Sequence, residues 1–342
     1  MGALVAAACV DFTNCHFENS LGRNRAAIEL ARRVDQPFEE SHALYDLVNV
    51  SLAVGDLEEA TGHANAFGEL GERSGSNQSR VNFPLVANER ICSAKGDWQA
   101  ARNFSNQGLA VFQRAPANLG NRMLLEYQTG DYEAGEYYLD RLLNIVEWDK
   151  SDPITPTTFF PVLAIPAVVI PATAYIAGTA NRFEEAEALA RSVLSWQFAH
   201  SGPSYAVRLG QALIAVQRGD IKTARELYDS LAPIHGAMWP QGPLGPGMST
   251  DRVLGLLSHT MGTMDQASGH FEDGLAFCRK AGFRPELAWS CCNYADTLRG
   301  RDAEGDHAKA VSLLDESLAI SSELGMRPLM ERVLSRRAIL KA

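Results

Sequence analysis

GDHAKAVSLLDESLAIS, residues Gly305 to Ser321, carries the pattern that decides the fold. After a Gly-Asp turn it sets a small residue at Ala310, then Leu313, Leu314, Ser317, Leu318 and Ser321 at offsets that share one face of a helix. The same pattern begins at Gly22, Gly55, Gly96, Gly130, Asn181, Gly219 and Gly262. With the turn residue counted as zero, the fifth position is Ala27, Ala60, Ala101, Gly135, Ala186, Ala224, Ala267 and Ala310. A small residue at a fixed offset marks a point where two helix backbones cross closely and a larger side chain has no room. Glycine suits the turn because it takes the left-handed conformation without a Cβ penalty, and the Asp after it is placed to cap the next helix.

The copies recur at intervals of 33 to 51 residues. One helical hairpin cannot bury its apolar face and must stack on its neighbours, so the spacing predicts an all-α, tetratricopeptide-like right-handed superhelix (an α-solenoid) of about eight hairpins. It spans residues 1–342 as one unit, with 325–342 as a C-terminal capping helix. The longest interval, Gly130 to Asn181, holds the charge-free stretch PITPTTFFPVLAIPAVVIPATAYIAGTA, residues 153–180. Its length suits a membrane span. However, Pro161, Pro166 and Pro171 interrupt it, and it runs directly into the copy at Asn181. It is therefore read as the buried, kinked first helix of the fifth hairpin, with the extra length of that repeat in the loop ahead of it.

A net charge of −10 argues against a nucleic-acid surface, which calls for a basic patch to neutralise phosphates. The six cysteines form no CxxC pair, and the adjacent Cys291 and Cys292 do not suit a structural disulfide, so they read as reduced core thiols of a cytoplasmic protein. A redox switch at that pair would need an exposed thiolate beside a cation. The eight histidines have no zinc-like spacing, so no metal is expected. No phosphate-binding loop, GxSxG or kinase signature occurs, so neither catalytic residues nor a cofactor are expected. The apolar run Ala3–Val10 lacks a preceding Lys or Arg and reads as the first helix of the first hairpin, not as a secretion signal. Without a polar capping repeat ahead of it, this start predicts a cut through a longer protein.

Two stretches stand outside the repeat. PIHGAMWPQGPLGPGMS, residues 233–249, is a long Gly/Pro-rich loop in which Met238 and Trp239 either fold over the concave groove as a lid or tuck against the next hairpin. The final helix carries Arg327, Arg332, Arg336, Arg337 and Lys341; it either meets an acidic partner or caps the stack and places cations near a helix C-terminus. First helices of stacked hairpins line the groove, where Arg208, Asp251, Arg252 and Tyr294 are the candidate contacts for a partner or ligand. Inter-repeat salt bridges and packing are the equal alternative for these four.

The run HFEDGLAFCRKAGFRPELAWSCCNYADTLRGRD from His270 to Asp302, continued from Gly305 to Ala342, resembles the C-terminal tetratricopeptide region of large bacterial signalling ATPases. Two groups share that region: MalT-like LuxR-type transcriptional regulators, and class III adenylate/guanylate cyclases linked to an ATPase module. The resemblance covers the last third best. It implies a non-catalytic sensor or interaction region that takes a protein, peptide or small effector in its groove and controls an associated ATPase module. ATPase, cyclase and DNA-binding activities would belong to other domains, because no residue here matches their motifs. A free-standing scaffold or adaptor is the alternative, and an enzyme with an unrecognised site the third.

Overall fold

A computed structural model describes residues 2–74, 78–149, 156–195, 202–239 and 247–341. The described residues are almost wholly helical, and successive helices pack as pairs. The pairs are α1 (Gly2–Thr13) with α2 (Phe17–Arg33), α3 (Pro37–Ala53) with α4 (Leu57–Ser74), and α5 (Gln78–Lys95) with α6 (Trp98–Val111). Next come α7 (Pro116–Thr129) with α8 (Tyr132–Asp149), α9 (Pro156–Ala177) with α10 (Phe183–Leu194), and α11 (Gly202–Arg218) with α12 (Ile221–Leu231). The last are α13 (Thr250–Thr260) with α14 (Met264–Ala281), α15 (Arg284–Arg301) with α16 (Asp306–Leu324), and a single α17 (Arg327–Lys341). A two-stranded antiparallel ribbon, β1 (Met238–Trp239) and β2 (Met248–Ser249), precedes α13, with Met238 opposite Ser249.

The turn chemistry follows the sequence pattern. Gly55, Gly96, Gly130, Gly219, Gly262 and Gly305 all take positive φ. Asp56, Asp97, Asp131 and Asp220 each accept a hydrogen bond from the backbone N–H three residues on, satisfying one of the free donors of the following helix. Asp306 departs from this: its carboxylate turns back to accept from Ala303 N and Arg301, while Asp302, at φ 53°, takes the left-handed position that ends α15. The fifth position is buried in every copy from Ala60 to Ala310. At Gly135 an added Cβ would come within 2.5 Å of the Tyr127 ring.

The first copy is corrected by the structure. Gly22 lies inside α2, and the turn falls at Asn14–His16, where Cys15 supplies the positive φ. In this register Ser20 takes the small position; it is fully buried, and its hydroxyl donates to Ala8 O at 2.9 Å. A glycine is visible in sequence, whereas a left-handed cysteine is not.

Within the charge-free stretch Pro156–Ala177 form one helix, α9, with residues 163–174 buried throughout. Among the described residues no helix is long and apolar enough to cross a membrane. Pro171 has no N–H to give the carbonyl four residues back, which is that of Ala167. Gly210 of α11 packs directly on that carbonyl: a Cβ there would run into Ala167 O. The close crossing brings the Gly210 Cα–H to an oxygen whose helical donor is missing. Residues 150–155, where the sequence places the extra length of this repeat, and residues 75–77 lie outside the described residues.

Each odd-numbered helix also packs against the next odd-numbered one, from α1 through α17. The chain then comes back on itself, so that α1 meets α11, α5 meets α15, and α7 meets α17. The early turn glycines receive this second pass. A Cβ at Gly55 would meet Phe277, one at Gly96 would come within 2.6 Å of Leu324, and one at Gly130 within 2.8 Å of Arg327. The Trp98 indole donates to Leu324 O at 2.7 Å, closing the end of α16. Two cations of α17 sit at helix C-termini, Arg327 donating to Gly130 O after α7 and Arg332 to Tyr175 O at 2.6 Å near the end of α9, while Arg336 and Arg337 pair with Asp296 and Asp315.

Candidate functional site

The odd-numbered helices face the interior and carry an unusual load of buried polar side chains. Glu286, at the start of α15, accepts at a single oxygen, Oε1, from Arg252 Nε of α13 at 2.7 Å and from Ser249 N at 2.8 Å. Arg252 Nη1 reaches Asn293 Oδ1 at 3.3 Å, and Asn293 Nδ2 donates to the Tyr175 hydroxyl of α9 at 2.8 Å. Arg332 of α17 lies 5.0 Å from the Tyr175 ring and 4.8 Å from that of Trp289, whose indole donates to Gln128 Oε1 of α7. Five helices that are far apart in sequence thus converge on one connected network. Burial pushes the Glu286 carboxyl above the usual carboxylate range, against the pull of the Arg252 guanidinium.

The network borders open space. A cavity of about 90 Å³ is lined by Arg90, Trp98, Asn121, Met238, Phe283 and Glu286, among others. A smaller one of about 30 Å³ shares Leu124, Gln128, Gly247 and Glu286 with it and adds Tyr175, Arg252 and Trp289. Arg90 is buried and donates to Tyr45 Oη at 3.1 Å and Asn49 Oδ1 at 2.8 Å. Next to it Glu89 is fully buried with neither oxygen hydrogen-bonded among the described residues. Burial pushes its carboxyl up to about 8. A larger hollow of about 350 Å³ between α7, α8 and α9 is lined by Tyr127, Tyr132, Glu136 and Arg182. There Glu136 is bound to the Tyr127 hydroxyl and Arg182 is exposed, so water screens the charges that would have to recognise a ligand.

The four groove candidates do not share a surface. Arg252 is buried in the interior network. Asp251, its neighbour, points the other way and accepts from Gly236 N at 2.7 Å and pairs with His270 at 3.2 Å, tying the 233–249 segment to α14. Tyr294 is buried between α14 and α16, stacked on Phe271, with its hydroxyl donating to Glu272 at 2.8 Å. Arg208 on α11 is half-buried, 5.7 Å from the ring of Tyr205. Met238 is buried at the cavity wall and held by the β1–β2 pairing, so it is part of the interior and not a cover over it. The Trp239 side chain lies outside the described residues.

Sequence reading missed Glu286, Asn293, Tyr175 and Gln128. Tyr175 left a trace, being the one phenol in the charge-free stretch. The others lie on helices whose polar residues follow no period. Cys278, Cys291 and Cys292 are free and buried; burial pushes the Cys292 thiol up to about 12 and the other two higher, which removes the thiolate that a redox switch requires. Among the described residues no three side chains of metal-ligating type come together. No protein-family model matches the chain, and no curated protein matches it.

Proposed function

We propose that this chain is a non-catalytic tetratricopeptide-like sensor and interaction region of a bacterial signalling or transcriptional regulator, acting in the cytoplasm through a small effector held in its interior. The eight hairpins stack as a superhelix whose first helices form the inner wall. Meetings between α1 and α11, α5 and α15, and α7 and α17 set one superhelical turn at about five hairpins.

The observation that carries the reading is the cavity beside the Arg252–Glu286 pair. The walls of this cavity and the larger one adjoining it come from α5, α7, α13 and α15, elements of both superhelical passes. A molecule bound there bridges the passes, and its binding energy stabilises one pitch of the superhelix over another. An extended peptide fits this interior less well than a small effector, because the inner helices pack on one another where an open groove would run.

The test is a thermal-shift screen of the purified chain against a metabolite library, followed by small-angle scattering with any hit. The expected result is a ligand that raises the melting temperature and changes the radius of gyration. A library in which nothing stabilises the chain sinks the interior-effector reading.

A further inference from the structure

The Arg252–Glu286 pair leaves two opposite valences unused. Glu286 Oε1 takes both of that residue's hydrogen bonds, and Oε2 has no partner among the described residues. Arg252 uses Nε and Nη1, and its Nη2 has no partner among the described residues either. Both side chains are more than nine-tenths buried, at 6% and 7% exposure, and both line the smaller cavity, with Glu286 also lining the larger one. An acceptor and a donor without protein partners at a cavity wall are open to whatever occupies the cavity, and a ligand that matches both takes the place of the water they would otherwise hold.

The apolar and aromatic part of the remaining wall is formed by Trp98, Leu124, Leu125, Met238 and Phe283, with Arg90, Ser93 and Gln128 beside it. Asn121 adds an amide whose Nδ2 is buried without a hydrogen-bond partner among the described residues. The larger space, about 90 Å³, accommodates on the order of six to nine non-hydrogen atoms if each water-sized group needs roughly 10–15 Å³. The ligand that fits is therefore small, carries a cationic donor beside an anionic acceptor, and has an apolar remainder.

We infer that the two adjoining cavities together bind a free α-amino acid with an apolar side chain, its ammonium donating to Glu286 Oε2 where the cavities meet, its carboxylate accepting from Arg252 Nη2 in the smaller one, and its side chain lying against Trp98, Met238 and Phe283 in the larger. This rests on the interior-effector reading and gives it a ligand class. A zwitterion completes both halves of the pair without adding net charge to the interior. An apolar compound satisfies neither half, and a simple anion or cation satisfies one and repels the other.

Isothermal titration calorimetry of the full chain with L-leucine, about nine non-hydrogen atoms, tests the inference against N-acetyl-L-leucine and L-leucinamide, which remove one charge each. Saturable binding of L-leucine is expected, weakened about tenfold or more by either blocking group, as loss of one charge-assisted hydrogen bond implies. Glu286→Gln keeps an acceptor for Ser249 and Arg252 but loses the charge, and should weaken L-leucine by a similar factor. Ala94→Phe fills the larger cavity without replacing either member of the pair and should abolish binding with the far-ultraviolet spectrum unchanged. N-acetyl-L-leucine bound as tightly as L-leucine would overturn the zwitterion assignment and leave an interior site standing. A metabolite of another class that stabilises the chain, while no L-amino acid binds, overturns the amino-acid inference alone. Silence from the amino acids and the library together overturns both readings.

Discussion

α15 and α16 are consecutive helices of 18 and 19 residues, yet they are buried in different ways. In α16 the buried positions after the first turn are Ala310, Leu313, Leu314, Ser317 and Ser321, the three-and-four spacing of a helix with one covered face. In α15 every residue from Pro285 to Ala295 is buried, including Glu286, Ser290 and Asn293. The reason is the number of neighbours. α16 lies on α15 and α17, whereas α15 is enclosed by α13, α14, α16, α17 and, from the earlier pass, α5. An outer helix shows the solvent a polar face and keeps its period; an inner helix has no solvent face, so its polar residues must find partners inside.

That contrast breaks most readily at the charged residues. Glu286→Ala leaves Arg252 buried and uncompensated, and should destabilise the chain by about 3–5 kcal/mol in urea unfolding. Glu316→Ala on α16 removes the half-exposed partner of Arg279 and should cost about 1 kcal/mol or less. Equal losses at the two sites would erase the distinction between the layers.

The inner layer should also govern the pH dependence. Glu89 on α5 titrates near 8 in the fold because of burial, above its unfolded value of 4.5, and burial likewise raises Asp46 of α3 to about 7. Between these values the folded state binds more protons than the unfolded one, so stability is highest below about pH 4.5 for these two groups and falls as pH rises toward 8. Glu89→Gln should flatten that fall and make the variant more stable than the parent at pH 8, read from melting temperatures across the range. A slope unchanged by the substitution would show that Glu89 is not its source.

Glycines sharpen the comparison. Gly210→Ala drives a Cβ into the Ala167 carbonyl between two inner helices and should cost about 1–3 kcal/mol. Gly269→Ala on α14 meets nothing within 4 Å and should stabilise by up to about 1 kcal/mol through helix propensity. Chemical denaturation that ranks them the other way would remove the close α9–α11 crossing from the account. The smallest expected effect is at a cap: Asp97→Ala removes the acceptor for Ala100 N at the start of α6 and should lower stability by about 0.5 kcal/mol, with no change in cavity binding.

The outer helices were legible in sequence because one-sided burial writes a period. The small fifth position, the left-handed glycine and the capping Asp followed from backbone sterics and free helix donors: six turns carry the left-handed glycine where the pattern put it, while around Asn181 the positive φ falls at Gly178 and Arg182 instead. The first was displaced because Cys15 holds a conformation that sequence assigns to glycine. The inner helices left no such record. That Arg252 faces the network of α9 and α15 while its neighbour on α13, the buried Asp251, faces Gly236 and α14 depends on what packs around that helix.

By itself the sequence determined a chain of paired helices with turns of fixed chemistry, since those features rest on contacts within about one hairpin. Only the tertiary structure decided that Trp98 closes on Leu324 and Asn293 on Tyr175, and that Glu286 and Arg252 border a cavity with a valence to spare on each. Those contacts join residues from separate passes of the chain, and local periodicity carries no information about which passes meet.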